Sequence, residues 1–277
     1  MNAVLRSDRR PERMFFDLDD VQHRVRLRWC LQRPLYAGKL LQLTQIPALF
    51  AAQRRGAALS RATFVCSEWD RAHLASLCVP RVAVLPNAMP VPEAPRGPAA
   101  EGTLLFVGAM GHPPNLEAAE RMVTRIFPLI RSARPDARLL LAGGGTESLP
   151  SRATAPPGVT YMGFVPDLEP VYAASRVFVC PMANGGGTRI KLIDAAAHAL
   201  PIVSTRMGAE GLDLADGEAI LLADSDDAFA ATCLRLLESD DLARRLGNAA
   251  RAGMIARYDA EAIIAQLQAR IAVEMAR

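Results

Sequence analysis

Short apolar runs alternate along the chain with stretches in which apolar side chains return every three or four positions. The runs Met14–Leu18, Ala62–Cys66, Arg81–Leu85, Thr103–Val107, Arg138–Ala142, Val159–Gly163, Val177–Cys180, Ile202–Thr205 and Ala219–Leu222 predict strands. Helical spacing predicts one or two helices over 21–59, broken near Pro34 and Pro47, and another from Ser67 through Leu77. Leu116, Ala119, Met122, Val123, Ile126 and Ile130 predict a helix capped by Asn115 and running to Ser132. A short helix over Pro166–Ser175 and three more over 225–238, 240–256 and 259–276 complete the pattern. Strand followed by helix, many times over, means an α/β chain with doubly wound parallel sheets. Such sheets bind ligands outside the carboxyl ends of their strands.

The alternation pauses once. From Ala88 to Gly102 the chain carries Pro90, Pro92, Pro95 and Pro98 and no periodicity, which reads as a linker. The expected organisation is a partial N-terminal Rossmann-like domain over 1–87, a linker over 88–102 and a complete Rossmann-like domain over 103–258. A last helix, 259–277, is expected to pack back on the N-terminal part. Residues 1–13 are polar and arginine-rich and read as loose.

The stretch Pro181–Pro201 is where chemistry concentrates. Gly185, Gly186 and Gly187 lie between the strand ending at Cys180 and a helix, and carry no Cβ to hold a ligand off the backbone. The helix turns its free N–H groups and positive end toward them, and Arg189 and Lys191 add two cations. On an ideal helix Lys191, Asp194 and His198 share one stripe, while Ile190, Ile193 and Ala197 share another that suits a sheet. Arg189 and Lys191 lie on different sides of that helix, so both reach one anion only if its first turn is bent. The residues read either as a phosphate cradle with a carboxylate beside it, or as a helix start with solvated charges. Composition favours the first. Of 32 basic residues only Lys39 and Lys191 are lysine, so a compact point charge stands here in a chain that otherwise uses arginine.

The net charge of +3 gives no reason to expect nucleic acid as a partner. No apolar run reaches the roughly 20 residues of a membrane span, and the N-terminus lacks a signal-peptide core, which predicts a soluble, cytoplasmic protein. Five cysteines without a CxxC spacing read as reduced core thiols, and no metal site is expected. The carboxylates of Asp17-Leu18-Asp19-Asp20 read as a strand end that caps the next helix, in preference to a metal-binding Asp-x-Asp. The Arg- and Leu-rich segment 21–59, with Trp29 and Tyr36, reads as partly buried helix in preference to a membrane-surface segment. Gly143–Gly145 lacks the full dinucleotide spacing, and no phosphate-binding GxxxxGK[ST], serine elbow or HExxH occurs.

Leu105-Phe106-Val107-Gly108 with Pro114-Asn115, Gly158 to Val165, Gly185 to Lys191, Pro201 to Thr205 and Gly208-Ala209-Glu210-Gly211 stand in one order. That order resembles the donor domain of the group 1 glycosyltransferases, retaining enzymes of the GT-B fold (glycosyltransferase family four). Val65 to Glu68 and Leu85 to Ala88 resemble the end of that family's acceptor domain, and the resemblance spans about residues 14–270. It implies polysaccharide or glycan biosynthesis with a nucleotide-diphosphate sugar as donor substrate and no cofactor. Arg189 and Lys191 would neutralise the diphosphate leaving group. Gly108, His112, Gly143, Gly144, Gly185, Gly186, Gly187, Thr188 and Gly208 would line the donor site. Asp194 stands at the second Glu of the family's Glu-x7-Glu motif and would take a ribose hydroxyl. The first Glu falls on Gly186, so its role is either vacant or taken by Glu210 or Thr188. The usual basic residue after the Gly108 strand is absent, and His112 is the candidate there.

The family's acceptor domain begins with more strands than stand before this linker, so about a hundred residues of that pattern are expected to be missing. Two functions follow. One is a retaining glycosyltransferase acting on a glycan, lipid or small acceptor, with a further subunit completing the acceptor domain and the membrane surface as a place of work. The alternative is a non-catalytic donor-domain module that binds a nucleotide or a partner.

Overall fold

The computed structural model describes residues 14–32, 35, 37–92, 99 and 102–276. The arginine-rich start, the expected break at Pro34, the aromatic Tyr36 and the linker residues 93–98 lie outside them. The chain divides into two compact units. One comprises Met1–Ala88, Gly185–Thr188 and Ala260–Arg277, the other Met89–Asn184 and Arg189–Asp259.

In the first unit, β1 (Phe15–Asp17), β2 (Ala62–Val65) and β3 (Val82–Val84) form a parallel sheet in that order. Three helices separate β1 from β2: α1 (Gln22–Leu31), α2 (Ala37–Leu43) and α3 (Ile46–Leu59). Pro47 sits in the first turn of α3, where its missing N–H costs nothing, so it opens a helix instead of breaking one. α4 (Glu68–Ser76) follows β2, and Ser67 caps it by accepting from the Asp70 N–H at 3.1 Å. The carboxylates after β1 do not cap α1. Its N-cap is Val21, with no side-chain bond, and the Asp19 carboxylate instead accepts the Cys66 thiol at 2.8 Å. The core is small, built from Leu18, Val21, Ala57, Val65, Leu74 and Val79.

The second unit carries a six-stranded parallel sheet. β4 (Thr103–Val107), β5 (Arg138–Ala142), β6 (Val159–Gly163), β7 (Val177–Cys180), β8 (Ile202–Ser204) and β9 (Leu221–Leu222) lie in the order β6-β5-β4-β7-β8-β9. β4 and β7 are side by side, so the direction of winding reverses between them. Leu104, Leu105, Phe106, Val177, Phe178 and Val179 are fully buried, as strands covered on both faces must be.

After β4, α5 (Pro113–Arg121) runs through a π turn, Met122–Ile126, into α6 (Phe127–Ala133). Pro128 falls at the start of α6, where it can donate no backbone hydrogen bond, and the wider turn before it absorbs the loss. Asn115 does not cap this helix. His112 is the N-cap, and Pro113 and Pro114 occupy the first turn.

α7 (Glu169–Ala173) precedes β7, and α8 (Ile190–Ala197) links β7 to β8. α8 buries Leu192, Ile193, Ala195, Ala196 and Ala197, whereas Ile190, expected on the sheet face, is 49% exposed. It is the first helical residue, and the sheet-facing stripe begins one turn later. α9 (Asp226–Glu238) and α10 (Asp240–Tyr258) complete this unit, and α11 (Ala260–Ala276) belongs to the first. All five cysteines are free; four are buried, but Cys78 is exposed at the end of α4, which removes it from the expected core thiols.

Candidate functional site

The ends of β4 and β7 border the reversal in the second unit, the place where a doubly wound sheet opens a crevice. Lys191, in the first turn of α8, reaches across from β7 to β4. Its Nζ donates to Asn115 Oδ1 at 2.7 Å and lies 4.5 Å from the centre of the Phe106 ring. Asn115 is fixed in turn by donating from Nδ2 to the Ala109 carbonyl at 3.0 Å. This approach needs Gly108, since a Cβ there would stand 2.8 Å from the ammonium. Gly143 closes on the same point. With φ at +135°, it would carry a Cβ 2.0 Å from the Gly108 carbonyl oxygen.

Among the described residues Lys191 has no carboxylate partner, and burial, with the Arg189 charge behind it, lowers its pKa to about 8. Arg189 is the extended N-cap of α8, and its guanidinium turns the other way, donating to the Met207 carbonyl at 3.4 Å. That carbonyl belongs to the loop after β8, so the two cations stand on either side of β7. Both act on the buried Cys180 thiol at its end, although burial dominates there and raises the thiol's pKa. Arg189 thus lies outside the helix, but the structure does not bring its guanidinium and the Lys191 ammonium to one place.

The other expected residues fall into five places. Gly208 is packed over the end of β7 and donates to Thr205 Oγ1 at 2.9 Å, and a Cβ on it would meet Ser204 Oγ at 2.4 Å. Glu210 lies half-buried in the same loop. Gly144 faces open space beside Gly143, and His112 exposes its side chain at the start of α5.

Asp194 does not share a target with Lys191. It accepts the buried Tyr172 hydroxyl at 2.6 Å and lies 3.6 Å from His198 Nε2, while Tyr172 stacks on His198 at 4.2 Å. Burial, then the Asp194 charge, pushes the Tyr172 hydroxyl well above its ordinary pKa, so it remains a donor. Gly186, Gly187 and Thr188 are counted with the first unit. There Thr188 Oγ1 accepts from Asn87 Nδ2 at 2.6 Å, and Cβ atoms on Gly186 and Gly187 would strike Val25 and Asp20.

A cation desolvated beside glycine turns at a winding reversal suits a phosphate or another compact anion. The family model described as Glycosyl transferases group 1 matches residues 101–239, half of the chain.

The chain belongs to the glycosyl transferases group 1.

Two curated relatives align with this group 1 chain at 30% identity. One is an uncharacterized 44.6 kDa protein in the cps region of Klebsiella pneumoniae, over 46% of this chain and 35% of that protein. The other is the phosphatidyl-myo-inositol mannosyltransferase of Mycolicibacterium smegmatis, over 66% of this chain and 50% of that protein. The chain thus spans between about a third and a half of the length of these relatives. Among solved structures, sucrose-phosphate synthase from Thermosynechococcus elongatus superposes with a TM-score of 0.74 at 20% identity, covering 99% of this chain and 71% of that one. Anabaena HepE, solved with UDP and glucose, gives 0.68 at 13% identity, covering 95% and 72%. These likenesses bear on fold: parallel, Rossmann-like α/β units of the GT-B kind.

Sequence reasoning on the group 1 chain missed Asn115 and Tyr172 as parts of the site. Asn115 was visible beside two prolines but read as a cap. Tyr172 lies 22 residues from Asp194, and no local pattern joins them.

Proposed function

We propose that this chain is the donor-binding part of a retaining glycosyltransferase. It would transfer a hexose from a nucleotide-diphosphate sugar to a glycan, lipid or small-molecule acceptor on the cytoplasmic side. The observation that carries the reading is Lys191, a largely desolvated ammonium without a carboxylate partner among the described residues, at the reversal between β4 and β7. Together with Arg189 it would meet the diphosphate as its bond to the sugar breaks and negative charge grows on the departing oxygen. Gly108, Gly143 and Gly144 would let backbone approach the phosphates, with Gly185–Thr188, Gly208, His112 and Glu210 disposed around the donor. Asp194, steadied by Tyr172, would offer its other oxygen to a ribose hydroxyl. HepE was solved with UDP, which makes UDP sugars the first donors to test.

The reading is tested by incubating the chain with radiolabelled UDP-hexoses and a panel of glycan and lipid acceptors, then following UDP release and the anomer formed. Transfer with retention, lost in Lys191→Ala, is the expected result. Binding without transfer to any acceptor would reduce the chain to a donor-binding module. Asp194→Ala is expected to shrink the preference for UDP over its 2′-deoxy analogue by about 1 kcal/mol, the usual worth of one hydrogen bond. An unchanged preference in competition titrations would remove Asp194 from the ribose role.

A further inference from the structure

Residues 21–67 hold eight of the chain's 32 basic residues and none of its 29 acidic ones. The same segment exposes apolar surface. Leu27, Leu31, Leu35, Leu40 and Leu41 are 40%, 64%, 59%, 57% and 68% exposed, five of the fourteen large apolar side chains so exposed among the described residues. Leu27 and Leu31 are one turn apart on α1, and α2, which packs on α1, carries Leu40 and Leu41. Basic side chains accompany them. Arg54 and Arg55 are exposed on α3, and Lys39 lies over the Trp29 ring at 4.9 Å while donating to the Gln32 carbonyl. Five leucines clustered in fifteen residues exceed the scattered apolar exposure of an ordinary surface.

We infer that α1–α3 form a docking face for an anionic lipid bilayer. Leucines at the tip of a helical pair can enter the boundary between headgroups and acyl chains. Arginines around them pair with lipid phosphates while their stems lie along apolar surface. Charge selects this occupant over a second copy of the chain. Two such faces would set exposed arginines such as Arg54 and Arg55 against their like, and residues 21–67 contain no carboxylate of their own to pair with them. The inference does not depend on sugar transfer.

Flotation of the full chain with vesicles tests it, using phosphatidylcholine alone or mixed with phosphatidylglycerol, at low and at physiological salt. The chain is expected to float with the anionic vesicles and not with the neutral ones, and salt should weaken the association. Leu31→Ser combined with Leu41→Ser should lower partitioning about ten-fold through lost apolar burial. Arg54→Glu with Arg55→Glu, an exposed pair whose reversal leaves the core intact, should lower it by at least about ten-fold. Unaltered circular dichroism and melting temperature keep both variants informative. No flotation, equal flotation on neutral vesicles, or an unchanged leucine variant would overturn the inference. So would a concentration-dependent dimer that the leucine variant abolishes in the absence of vesicle binding.

Discussion

In the six-stranded sheet the residues that follow the strands are glycines and cations: Gly108 after β4, Gly143 after β5, Arg189 and Lys191 after β7. In the three-stranded sheet the corresponding ends carry Asp17, Asp19 and Cys66, with Asn87 beyond β3. Burial and the neighbouring Asp19 raise the Asp17 pKa, while burial and the bond to Asp19 push the Cys66 thiol up. Both sheets are parallel and present their strand ends to ligands in the same way. The difference lies in the side chains placed there: glycines and cations at one set of ends, carboxylates and a thiol at the other. Fold places the crevice, and a few residues decide what enters it.

The comparison breaks most severely at Gly143. Gly143→Ala combines a left-handed backbone with a Cβ driven into the Gly108 carbonyl. Each effect costs about 1–3 kcal/mol, so a loss of about 3 kcal/mol or more is expected in denaturant unfolding of the second unit. A loss below about 1 kcal/mol would mean that the two strand ends are not locked together as described.

Lys191 sharpens the contrast through pH. Its folded pKa, about 8, lies below the ordinary lysine value of about 10.4, so the folded empty chain binds fewer protons than the unfolded chain between the two. Stability should therefore rise with pH across that window, by about 3 kcal/mol. Diphosphate affinity should fall over the same window, by up to about ten-fold per unit, because the anion needs the ammonium. Lys191→Met should lose both slopes. Parallel slopes in melting and titration series, or slopes retained in that variant, would contradict the desolvation of the Lys191 ammonium.

The smallest effect concerns the two cores. The six-residue core cluster of the first unit cannot match the continuous core of the second. Amides of β2 should open at a free energy lower by at least about 1 kcal/mol than those of β4 and β7 in native-state hydrogen exchange. Equal protection would show that the first unit draws its stability from elsewhere.

Much of this contrast was legible before any coordinates. Continuous apolar runs marked the strands because parallel strands are buried on both faces, and Thr103–Val107, Arg138–Ala142 and Val177–Cys180 stand where the pattern placed them. Glycine turns and the rarity of lysine pointed to Lys191. What escaped was set by packing between distant residues. The stripe joining Lys191, Asp194 and His198 is correct on a wheel, yet Lys191 turns to Asn115 and Asp194 to Tyr172, since each finds its hydrogen-bond partner on a different element. Asn115 has capping chemistry, but Pro113 and Pro114 had already started the helix. The carboxylates after β1 could have capped α1; the Cys66 thiol occupies Asp19 instead.

The central claim is that Lys191 is a largely desolvated cation held ready for a diphosphate. Its most direct test is calorimetric titration of the chain with UDP, without added metal, beside Lys191→Ala. The account predicts saturable binding that the variant weakens by about 1–3 kcal/mol, or roughly five- to 150-fold. Equal affinity in the two proteins would contradict it.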